Sequence, residues 1–179
     1  MTVRKRSKKY SPKPVYRMPL IMLGLNVAED KVKELSRRAR NEQLRIHLGS
    51  AEKESYETIA GLFFIGYELA KSCNERREIE GLMYEGIASI FRIEYDVLGG
   101  EEPLEEDLET VKTAVDTAIE EVKHANNFEF LAAEAAFSCR REEHLANFRA
   151  FVRKNLDEYR EALAKGEEPS AEVPGGAAL

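Results

Sequence analysis

The chain has 179 residues, enough for one full-sized core, with 43% hydrophobic and 34% charged residues and a formal net charge of −6. No apolar run approaches the ~20 residues that a membrane-spanning helix needs, so no membrane association is expected. The average charge hides two opposite parts: residues 1–17 carry seven bases and no acid, and the remainder is −13.

Arg4, Lys5, Arg6, Lys8, Lys9, Lys13 and Arg17 supply those bases, and the first acid is Glu29. A cluster this dense can neutralise several phosphates, Tyr10 and Tyr16 offer rings for stacking on bases, and Pro12 and Pro14 favour an extended chain. An acidic protein surface would be served by the same residues. Residues 1–25 are therefore expected to form a basic, largely disordered arm that contacts nucleic acid or an acidic partner. Its last part is the apolar run Met18-Pro19-Leu20-Ile21-Met22-Leu23-Gly24-Leu25. A secretion signal would need a small-residue cleavage site after it, and Asn26-Val27-Ala28-Glu29 supplies none, so a cytoplasmic location is expected.

Residues 26–165 carry a 3.6-residue apolar period with no convincing strand. The first helix is expected to start at Asn26 as N-cap, with Glu29 at capping-box spacing. Its stripe is Val32, Leu35, Ala39 and Ile46, and Gly49 ends it. Ser50 reads as the cap of a second helix with Tyr56, Ile59, Leu62, Phe63, Tyr67 and Leu69 as core. After a polar cluster at Asn74, a third helix presents Ile79, Leu82, Met83, Ile87, Ile90, Phe91 and Leu98. Gly99-Gly100 stops it, and Pro103 reads as the first-turn proline of a fourth helix. That helix has Leu104, Leu108, Val111, Val115, Ala118 and Val122 inward, with acids crowding its start. Asn126-Asn127 breaks it. Residues 128–165 read as one long helix or as two joined near 138–143, with Leu145, Phe148, Val152, Leu156, Tyr159 and Leu163 inward. Residues 166–179 read as a disordered tail. The predicted fold is thus an all-α bundle of five or six mostly antiparallel helices between disordered tails.

Gly61, Gly66, Gly81 and Gly86 bracket two similar hexapeptides and are expected to let the second and third helices pack closely. Cys73 and Cys139 are far apart in the sequence, outside any metal-binding spacing, and read as buried free thiols. Glu121-Val122-Lys123-His124 has the Glu-x-x-His spacing of di-iron bundles, which need two such copies. The sequence holds one, so neither a metal nor another cofactor is expected.

The segment Arg40-Asn41-Glu42-Gln43-Leu44-Arg45-Ile46-His47 resembles the Arg-x(4–6)-His signature of HEPN-type ribonucleases, an all-α family. In that family the arginine and histidine of two protomers meet at a dimer interface and cleave RNA without metal. The resemblance implies catalytic roles for Arg40 and His47 and a supporting one for Asn41.

Three readings follow. The first is a non-catalytic interaction or regulatory protein that binds a macromolecular partner, with the basic arm as a second contact. The second is a nucleic-acid-associated protein that grips phosphates through residues 1–17. The third is the HEPN-like ribonuclease. Heptad-like steps in the last helices leave room for a homodimer.

Overall fold

The computed structural model describes residues 25–71 and 76–165, with side chains as far as Asp157. The basic arm, Cys73, Asn74 and the C-terminal tail lie outside the described residues. Within them are six helices: α1 (Glu29–His47), α2 (Lys53–Lys71), α3 (Arg77–Gly99), α4 (Glu105–His124), α5 (Asn127–Cys139) and α6 (Arg141–Lys165). The described residues contain no strand, and no described helix is long and apolar enough to cross a membrane.

Short connections force α1 to α4 into an up-down-up-down bundle. Cross-helix contacts fix the directions. Asn26 pairs with Asn126 and Arg40 with Asp116, so α1 runs against α4. A Cβ on Gly66 would meet Met83 and Ala118, and one on Gly86 would meet Phe63 and Ala114. Those contacts set α2 against α3, α3 against α4, and α2 parallel to α4. The loops α1–α2 and α3–α4 therefore share one end, here called the upper end.

Helix α2 is the axis of the fold. Buried residues cover most of its length, from Ser55 and Tyr56 to Leu69 and Ala70, and all five other helices pack on it. A helix apolar nearly all round belongs in a centre. The main core joins Ile59, Phe63, Met83, Ile87, Ile90, Phe91, Val111, Val115 and Ile119. A smaller cluster at the lower end joins Val27, Val32, Ile65, Leu69, Val122, Ala125, Phe130 and Ala133. Phe64 ties the late helices to the axis: it stacks on Phe137 of α5 at 5.3 Å and meets Phe148 of α6 edge-on at 5.5 Å.

Both glycine stops work as expected. Gly49 (φ +66°) and Gly100 (φ +77°) adopt the left-handed conformation. At the end of α1, the Gly49 N–H donates to Ile46 and the Ser50 N–H to Arg45; at the end of α3, Gly100 donates to Val97 and Glu101 to Asp96. These paired bonds satisfy the last carbonyls of each helix.

Several local expectations need correction. Asn26 does not cap α1: Ala28 holds that position without a side-chain cap, and the Asn26 backbone is paired with Asn126 across the lower end. The capping box lies elsewhere. The Asn126 side chain accepts from the Glu129 N–H at 2.9 Å, and Glu129 accepts from the Asn126 N–H at 3.0 Å. Ser50 closes α1 instead of opening α2, its hydroxyl donating to the Arg45 carbonyl. Pro103 precedes the Leu104 N-cap rather than sitting in the first turn of α4. Of the two readings open for residues 128–165, the second holds: two helices meet at Arg140, within 138–143. A Cβ on Gly81 would meet nothing within 4 Å, so only Gly61, Gly66 and Gly86 mark close approaches. Cys139 is exposed, because the outer side of α5 faces solvent.

Candidate functional site

Three arrangements of side chains stand out, and the first is a charged cleft. The first two turns of α2 place Glu57, and α3 places Glu94, where two arginines from one face of α6 converge. Arg149 reaches Glu94 with Nε at 2.7 Å and Nη2 at 2.9 Å, and reaches Glu57 with Nη1 at 3.2 Å. Arg141, two turns earlier, donates to the other oxygen of Glu57 at 3.1 Å. Arg38, Lys53 and Glu54 complete the rim of a cleft of about 630 Å³. Burial works against the Arg149 charge, and Glu94 and then Glu57 more than offset that, holding its pKa above the ordinary value. Burial likewise pushes the Tyr56 hydroxyl up, with the nearby Glu94 carboxylate adding to it. Glu57 is shared by Lys53, Arg141 and Arg149, and the cleft's lining carries no histidine or cysteine. Its chemistry is that of a clasp holding α6 to α2 and α3.

The second arrangement repeats this logic. Arg92 of α3 donates to Asp107 at 2.6 and 3.0 Å, to Glu85 at 2.7 Å and to the Ser89 hydroxyl at 2.9 Å. Asp107 is buried beneath it. At the lower end Arg76 engages the buried carboxylate of Glu121. In the sequence Asp107 reads as one of the acids crowding the start of α4 and Glu121 as part of a metal-type spacing, and Glu94 draws no notice. The signal was present: Asp107 sits four residues before Val111, and Glu94 lies three after Phe91. An acid in step with an apolar stripe is carried inward and demands a basic partner.

The third is the upper end of the bundle. Leu44 and Leu48 end α1, Leu98 ends α3, and Leu104 opens α4. Topology gathers all four at one end, and all four are exposed, Leu98 by 81% and Leu104 by 63%. Both had been expected in the core. They fail to reach it because each lies where its stripe runs past the end of the neighbouring helix. Exposed Glu101, Glu102, Glu105 and Glu106 surround this pair in sequence.

The residues singled out from sequence fall as follows. Arg4, Lys5, Arg6, Lys8, Lys9, Tyr10, Lys13 and Arg17 lie outside the described residues. Arg40, Asn41 and His47 are exposed on α1. Arg40 and His47 lie seven residues apart, ~10 Å along the helix axis, and the Arg40 guanidinium is bound to Asp116 at 3.1 Å. His124 is exposed at the end of α4, while Glu121 is turned to Arg76. Among the described residues no cluster of three metal-ligating side chains occurs. Comparison with protein-family models, with curated proteins and with solved structures finds no match.

Proposed function

We propose that the protein is a non-catalytic helical interaction protein, docking a macromolecular partner at the upper end of its bundle and using the basic segment 1–17 as a second contact. The observation that carries this reading is the set of four exposed leucines, Leu44, Leu48, Leu98 and Leu104, gathered at one end beside exposed glutamates. Apolar side chains held in water on helix ends have their backbone already ordered, and burial by a partner gains more than fixing their rotamers costs. The flanking carboxylates select a partner whose matching surface is apolar with a basic rim. The fixed Arg–Glu clasps support the same reading, since they give the bundle the rigidity of a platform. An intracellular setting belongs to this proposal, in keeping with the exposed thiol of Cys139.

The test is a pull-down from native lysate with the full chain, with and without nuclease, comparing the parent with Leu98→Ser/Leu104→Ser. A stoichiometric protein partner that survives nuclease, and whose retention falls about tenfold or more in the double variant, supports the proposal. Loss of all bound material on nuclease treatment overturns it. That outcome would favour phosphate contact through residues 1–17, which predicts a steep fall of binding with salt.

A further inference from the structure

Helix α5 is apolar on both sides, which is unusual for a helix on the outside of a bundle. Phe130, Ala133 and Phe137 face inward, the first two buried and Phe137 set against Phe64 and Gly61 of α2. On the opposite side Phe128, Ala132, Ala135 and Cys139 recur at steps of four, three and four, and all are exposed. This strip carries no charge. The two acids of α5 lie off it: Glu129 is bound into the capping box, and Glu134 is paired with Lys31 at 3.5 Å. Exposed apolar residues aligned along one side of an outer helix gain free energy when something covers them.

We propose that the cover is the chain's own apolar run, residues 18–24, packed along the outer strip of α5. Three observations on the described residues point there. Leu25 accepts a hydrogen bond from the Asn127 N–H at 2.7 Å, so the chain reaches the described part of the fold at the first residue of α5. The Asn26–Asn126 pairing is antiparallel. Traced backward from Leu25, the chain therefore leaves the bridge in the same sense as it does traced forward into α5. Leu25 and Phe128, both exposed, stand at this junction.

Length and chemistry agree. Seven extended residues span up to ~23 Å, against the ~17 Å from Phe128 to Cys139 along a helix axis. Pro19-Leu20-Ile21-Met22-Leu23 is uncharged, as is the strip. Another surface near this junction is the groove beside Asn26 and Val27, but it is rimmed by Glu29, Lys33, Arg37 and Lys123, charged groups that an uncharged run would have to desolvate, whereas the strip on α5 has none. A second copy of the chain is the poorer occupant. A strip ~20 Å long and ~10 Å wide falls well short of the ~800 Å² per partner of a stable interface. Alanines at 132 and 135 leave room for bulky leucine and isoleucine side chains to sit close to the helix.

The test uses thiol accessibility in the full chain. With Cys73 and Cys139 replaced by serine, Ala132→Cys puts one thiol in the middle of the strip, and its reaction with a maleimide is timed. The proposal expects slow labelling that is independent of protein concentration. It expects labelling to quicken at least tenfold when Leu20, Ile21 and Leu23 are changed to serine. Phe128→Arg, an exposed position that the fold tolerates, should quicken it likewise from the other side. Circular dichroism confirms that each variant is folded. Fast labelling in the parent overturns the proposal, as does slow labelling that both sets of changes leave untouched. Protection that strengthens with concentration, together with a dimer mass by light scattering, overturns it in favour of a second copy.

Discussion

Arg149 of α6 holds Glu94 of α3 through two hydrogen bonds of 2.7 and 2.9 Å, donated by Nε and Nη2 along one edge of its guanidinium. Glu94 is buried and Arg149 only partly so, so the pair is unequal: the acid depends on the base far more than the reverse. Removing Arg149 strands a buried carboxylate without either of those two hydrogen bonds. Arg149→Ala is expected to cost about 3 kcal/mol, or roughly 10 °C in Tm. Glu94→Gln/Arg149→Ala should lose less than the two single changes added together, and urea unfolding of the parent, Glu94→Gln, Arg149→Ala and the double variant measures the coupling. A loss below about 1 kcal/mol in the single variant would reduce the clasp to an ordinary surface pair.

Two glycines in α3 predict opposite outcomes for one substitution. A Cβ at Gly86 would stand 2.8 Å from the Ala114 Cβ and 3.0 Å from the Phe63 ring, closer than such atoms approach. Gly86→Ala should therefore destabilise by about 1–3 kcal/mol through overpacking. At Gly81 nothing lies within 4 Å, and Gly81→Ala should stabilise by up to about 1 kcal/mol through helix propensity. Thermal unfolding of the two variants side by side checks both signs.

Asn126 and Asn26 face each other across the lower end but use different atoms. Asn126→Ala removes the acceptor that caps α5 and should cost about 1 kcal/mol. Asn26 is paired through its backbone, which alanine retains, so Asn26→Ala should be nearly silent. Equal losses at the two positions would contradict the assignment of the cap.

Alkaline stability is the fourth measurement. In the folded protein the Tyr56 hydroxyl titrates above the ordinary tyrosine value, because burial and then Glu94 disfavour the phenolate. Tyr84 shifts the same way, through burial and then Glu85. In the unfolded chain tyrosine loses its proton near pH 10. Above that pH the unfolded state binds fewer protons than the folded one, so stability falls as pH rises. The Tyr56 contribution is thus fully present below about pH 10 and lost as pH climbs through the raised folded value. Tyr56→Phe should match the parent's pH dependence from pH 7 to 9 and decline less steeply above 10. Parallel denaturation curves across the whole range would refute this.

Much of the fold was legible in the residues themselves. The steps Val111, Val115, Ala118 and Val122 name the inner face of α4, and Gly49 and Gly99-Gly100 name two helix ends, because periodicity and left-handed backbone are local properties. What depended on distant partners was not. Asn26 followed by Glu29 and Asn126 followed by Glu129 present the same capping-box spacing, yet only the second forms, because α5 starts directly after Asn126 whereas α1 starts after Ala28. Leu98 and Leu104 continue their stripes faithfully, yet the neighbouring helices have already ended. Glu57 reads as one more surface acid until α6, some ninety residues later, brings Arg149 to it. The leucine-bearing upper end was illegible for the same reason, since it depends on four helix ends meeting.

The pairing of Asn26 with Asn126 also sets an order of events during synthesis. It closes a loop of a hundred residues, which is an entropic cost met only when most other contacts already exist. On the ribosome, where the N-terminal end emerges first, Val27 has no Ala125 to bond and no Phe130 to pack beside until α4 and the start of α5 have been made. Asn26 and Val27, at the start of the described chain, are thus seated only after the helices between them and α5 have been made.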